Sequence, residues 1–189
     1  MTRDDVFKQL SAQATTVRSE VQARFADLSA AQLNWSPEVG SWSIAQCLDH
    51  LIIANASYFP GFDRVLAGDK GSALWRYLPW VPAMWGKLLS RSVSPQTRKM
   101  KAPKGFRPST SAIDDGILDR FDDQQGRVLD YLAKISAAGV GDVIMNSPPV
   151  PAIVYSVLDA CRIVVFHEQR HLQQAARVAA LPEFPGAAG

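Results

Sequence analysis

The chain of 189 residues carries a formal net charge of +2, with 47% hydrophobic and 20% charged residues, a composition that excludes a disordered or fibrous polymer. That length holds one well-buried core and is short for two, so a single domain over 1–189 is expected. Two cysteines are too few for a disulfide framework, and no run approaches the ~20 apolar residues of a membrane-spanning helix.

The opening "MTRDDVFKQLSAQ" lacks the apolar core of a secretory signal and points to the cytoplasm. From there Val6, Leu10, Ala14, Val17, Val21, Phe25 and Leu28 recur in steps of three and four, predicting a helix over about 3–28 with Thr2 or Asp4 as its cap. "SIAQ" at 43–46 has the form of a capping box and starts a second helix over 43–68, along Ile44, Cys47, Leu48, Leu51, Ile52, Tyr58 and Phe62. Ser111 and Asp114 repeat the start signal for a third helix over 111–138, carrying Ile117, Phe121, Val128, Leu132 and Ile135 and ending before Gly139. After Pro148, Pro149 and Pro151 a fourth helix is expected over 152–179, on Val154, Val157, Leu158, Cys161, Val164, Val165, Leu172 and Ala175. No long segment alternates with period two, so no strand is predicted.

The expected fold class is therefore all-α, a four-helix bundle with an irregular, aromatic and basic insertion (71–108) between the second and third long helices. "ALWRYLPWVPAMWGKLL" places three tryptophans and two prolines in that insertion, and from Lys70 to Arg107 there are nine lysines and arginines and no acidic residue. Such a segment suits a membrane surface or a nucleic acid. The simpler expectation is that it folds over one end of the bundle, buries its tryptophans there and neutralises the acidic third helix, with no nucleic-acid partner.

The three histidines of the chain carry its chemistry. "HEQRH" at 167–171 matches the H-E-x-x-H of zinc proteases. A protease of that kind needs a third ligand downstream, and only Glu183, between two prolines, follows. The spacing is still informative, because His167 and His171 stand one helical turn apart within about 40°. His171 continues the stripe of Val157, Cys161, Val164 and Ala175, while His50 shares a side with Cys47, Leu51 and Ala54. All three point inward, and three neutral imidazoles with a fourth position open form the ligand set of a catalytic metal site. Glu168, about 100° around the helix from His167, is placed at the border of the site, where it could orient a water as a catalytic residue or pair with another helix.

"LNWSPEVGSWSIAQCLDHL" (33–51) and "FHEQRHLQQAARV" (166–178) resemble the two signature regions of the DinB-like superfamily. There a tryptophan-containing loop leads into a helix with one histidine, and a late helix supplies an H-x-x-x-H pair. "KAPKGFRPS" is similar to the linking segment of many members. The resemblance implies a four-helix bundle with a mononuclear divalent metal held by His50, His167 and His171. It implies an enzyme acting on a small molecule, by hydrolysis or by transfer of a low-molecular-weight thiol, as in characterised thiol S-transferases of the superfamily. Zinc or nickel is expected, with iron or copper also compatible with imidazole. The alternative is a non-catalytic stress-response protein with a structural metal. Trp42 is expected to line the site, Gln46 and Gln174 are candidate partners of the imidazoles, and a homodimer through exposed helix faces is plausible.

Overall fold

The computed structural model describes residues 2–38, 40–70, 78, 80–93, 112–114 and 116–186. Four long helices dominate: α1 (Arg3–Phe25), α3 (Ile44–Leu66), α5 (Ile117–Ala138) and α6 (Val157–Ala179). Two shorter helices, α2 (Ala30–Asn34) and α4 (Trp80–Ser92), and two strands, β1 (Ile144–Asn146) and β2 (Val154–Ser156), complete the order. The all-α four-helix reading is correct, and none of the helices is long and apolar enough among the described residues to cross a membrane.

The helix starts follow local capping chemistry. Thr2 caps α1 in a box closed by Asp5, Ser43 caps α3 in the box closed by Gln46, and Ser29 with Gln32 forms a third box that starts α2. Two expected starts are corrected. Helix α5 begins at Ile117 rather than at 111, because the Asp114 carboxylate accepts from the Gly116 amide (3.0 Å) and pairs with Arg120, turning the chain just before the helix; Ser111 lies outside the described residues. Helix α6 begins at Val157 rather than at 152. Residues 154–156 instead pair antiparallel with 144–146 across the proline-rich turn, with Met145 opposite Tyr155, and Ser156 then caps α6 by accepting from the Asp159 amide. Three-residue strands are too short to show a period of two, which is why the sequence pattern misses this hairpin.

Side-chain contacts set the bundle order. Helix α3 runs antiparallel to α6: His50 meets His167, Asn55 meets Glu168, and Phe59 and Phe62 line a small core void with Cys161 and Val164. Helix α3 runs parallel to α5, since Gln124 donates to the Ile52 carbonyl while Phe59 and Phe62 reach Tyr131. Helix α1 packs on α5 and α6, with Arg18 bound to Asp122. Parallel neighbours cannot be joined by a short turn. The chain from 67 to 116 must therefore return the length of the bundle, and α4 lies on that route, against β2 and α6.

The expectation that the insertion buries its tryptophans fails at Trp80, while most of its basic residues, from 94 to 107, lie outside the described residues. Trp80 is exposed and Trp85 half-buried, with Trp75 outside the described residues. Described ion pairs of the acidic run come from Arg18, Arg120 and Lys134. What seats α4 is Pro82 and Gly86 on its inner face, with Leu89 and Val93 against the core. A Cβ added at Gly86 would stand 2.6 Å from Cγ of Asp159, and Asp159 is held by Ser156 and Arg162. Alanine normally favours a helix over glycine by up to ~1 kcal/mol. Gly86→Ala is nevertheless expected to destabilise the protein by about 1–3 kcal/mol through overpacking, read from urea unfolding; a gain in stability would show that α4 is not seated on α6.

Candidate metal centre

Helices α3 and α6 bring together what the sequence separates. His50 lies in the second turn of α3, just beyond the Ser43 cap, and His167 and His171 lie at and just past the middle of α6. Because the helices are antiparallel, all three rings meet at one level. The Nε2 atoms of His50 and His167 are 3.1 Å apart. The ring centroids of His171 lie 4.6 Å from those of both His50 and His167. One ligand atom from each residue falls within 4.8 Å of the others, and these three residues form the metal-competent group found among the described residues.

Trp42, in the loop before the Ser43 cap, covers this cluster. Its ring stacks on His171 at 5.5 Å and 22° and tilts against His50 at 4.8 Å. His50 and His171 are buried, whereas His167 is half-buried and marks the open side. Burial, then the neighbouring imidazoles and Arg170, hold His167 well below its usual range. Burial, then His50 and Arg170, pull His171 down to about 3, with Gln174 acting in the opposite sense. At neutral pH these rings are therefore neutral and present lone pairs, the form that ligates metal. Two facing lone pairs at 3.1 Å repel unless a proton or cation lies between them. Two imidazoles on one tetrahedral zinc, at about 2.0–2.1 Å each, would be separated by roughly 3.3 Å. The donor set thus fits a divalent ion with little rearrangement.

Glu168, next along α6 from His167, is fully buried in the bundle interior, on the stripe that runs Val164, Glu168, Leu172. Its Oε1 accepts from Asn55 Nδ2 of α3 and Gln125 Nε2 of α5, each at 2.7 Å. Burial pushes this carboxyl up to about 7, against the lowering effect of the two amides. Asn55 and Gln125 went unnoticed in the sequence, although each leaves a signal, as one polar amide inside an apolar stripe (Leu51, Asn55, Tyr58, Phe62 and Phe121, Gln125, Val128, Leu132). Gln46 closes the cap of α3. Cys47 and Cys161 are buried thiols, pushed up to about 12 by desolvation, and supply no nucleophile at neutral pH. On the outer side Arg170 donates to the Ser92 carbonyl (2.7 Å), which brings the end of α4 level with the histidines.

A four-helix bundle with three convergent imidazoles from its second and last long helices defines a class. The sequence profile of the DinB superfamily matches residues 13–175, and the chain belongs to that superfamily. Among solved structures the fold is similar to that of YfiT from Bacillus subtilis, described as a probable metal-dependent hydrolase with an unusual four-helix bundle topology. The TM-score is 0.59 at 12% identity, over 95% of this chain and 88% of that one. A search of curated proteins returns no match.

Proposed function

We propose that the protein is a divalent-metal-dependent enzyme acting on a small molecule, with His50, His167 and His171 as the ligands of one ion, zinc or nickel. The convergence of three imidazoles on one point is the observation that carries this reading. A bound divalent ion supplies Lewis acidity, lowering the pKa of a water or thiol and stabilising an anion. Hydrolysis or transfer of a low-molecular-weight thiol are the reactions that suit it. A thiol would come from outside, because both cysteines are buried and protonated.

The chain's own residues bind and shield. Trp42 keeps water from the His50–His171 side, and His167 faces the side from which a substrate enters. Glu168 serves as a positioning residue that fixes the rotation of α6 against α3 and α5, and this accounts for its two amide partners better than proton transfer does. The experiment is metal analysis of purified protein, followed by assays of ester, amide and thiol-transfer substrates with and without chelator. One ion per chain and turnover lost on chelation are expected; full turnover after complete metal removal would sink the proposal.

A second reading, a structural metal without turnover, draws on the burial of His50 and His171, which are only 3% and 8% exposed. It predicts a large chelator-induced drop in melting temperature, slow exchange of the ion and no turnover on any substrate.

A further inference from the structure

Helix α4 is apolar on two sides and uses one of them. Pro82, Gly86, Leu89 and Val93 face the bundle within an arc of about 60°. Nearly opposite, Trp80, Met84 and Leu88 follow one another at i, i+4 and i+8 and are 62%, 47% and 53% exposed. The exposed Lys87 and Arg91 fall on the same outward arc. Leu78, just before the helix, is also exposed. Single exposed apolar residues are ordinary, but a contiguous stripe of tryptophan, methionine and leucine marks a contact surface.

We propose that this outward face of α4 docks on an anionic lipid surface. Charge decides between the possible occupants. Helix α4 carries Lys87 and Arg91 on this arc and no acidic residue anywhere along it, so an isologous contact with a second copy would set two cationic faces against each other. A nucleic acid would neutralise the cations and leave Trp80, Met84 and Leu88 with no apolar surface to enter. A bilayer with acidic headgroups satisfies both: the apolar stripe enters the boundary between headgroups and acyl chains, tryptophan sits at headgroup level, and lysine and arginine extend their charged ends to the phosphates. The proposal is independent of the metal site.

The test is co-sedimentation of the full chain with vesicles of equal parts phosphatidylcholine and phosphatidylglycerol, compared with pure phosphatidylcholine. The parent should partition at least about tenfold more strongly onto the anionic vesicles at low salt, and the preference should shrink as salt is raised. Lys87→Glu should lower partitioning by about tenfold. The triple variant Trp80→Ser, Met84→Ser, Leu88→Ser removes only exposed side chains, so its far-UV dichroism and melting should match the parent while vesicle binding is lost. Met84→Glu offers a single-site check should the triple variant prove unstable. Equal retention of parent and Met84→Glu, or no retention on anionic vesicles at low salt, overturns the proposal. So would retention by duplex DNA without retention by vesicles, or dimerisation in sedimentation equilibrium that the triple variant abolishes while vesicle binding is absent.

Discussion

Replacing His171 or His50 by alanine is expected to reduce divalent-metal affinity by at least about 100-fold, more than removal of a partner around the ligands normally costs. Each of these rings contributes one of three converging donors, and two imidazoles alone leave an ion held by solvent on its remaining sides. The effect can be separated from damage to the fold. At a metal concentration about 100 times the dissociation constant, binding to the folded state adds about 2.7 kcal/mol to stability, so the parent should melt higher with metal than without. The variants should show little or no such shift. Competition against a chromophoric chelator gives the affinity, and melting of the metal-free proteins gives the cost of losing packing against Trp42, which contacts both rings. Unchanged affinity in either variant would mean that the three histidines are not the ligand set.

The largest effect on stability is expected at Glu168. Glu168→Ala empties a fully buried position and leaves the Asn55 and Gln125 amides, on two other helices, without their acceptor. A buried polar group stripped of its partner costs about 1–3 kcal/mol, and the cavity adds to this. Together they should destabilise the metal-free protein by about 3–5 kcal/mol, a large share of the ~5–15 kcal/mol that holds a typical domain together. Glu168→Gln keeps the volume and an oxygen that can accept both amides, so it should cost about 1 kcal/mol or less and retain metal affinity near that of the parent. Urea unfolding of the two variants without metal separates the cases. A small loss in the alanine variant would show that the three-helix hydrogen-bond cluster contributes little.

The periodicity of the sequence made the bundle legible, since one apolar stripe per helix is enough to predict four long helices and the inward aspect of His50 and His171. The capping box at 43–46 placed the start of α3 correctly, and of the two cap candidates for α1 Thr2 is the one that caps it. The start of α5 was missed because Asp114 serves a turn before the helix rather than its cap, a distinction that depends on Arg120 folding back. For Glu168 the pairing with other helices was legible and the identity of its partners was not. The amides that receive it lie on α3 and α5, and no local pattern in α6 could have named them. Exposure of Trp80 was equally invisible, because an aromatic run reads as core until the helix that carries it is seen to be supported from one side only.

The parallel course of α3 and α5 has a consequence for how such a chain can diversify. A helix of the length of α3 or α5 is about 35 Å long, and some 10–12 residues of extended chain would span it. Residues 67–116 far exceed that minimum. Within that stretch α4 lies against β2 and α6, and its end comes level with the histidines through Ser92 and Arg170. Length or sequence can be added there without disturbing any of the four core stripes. The topology therefore separates an inner frame of four packed helices, which holds the donor atoms, from a connection outside that frame in which α4 is the part seated against α6.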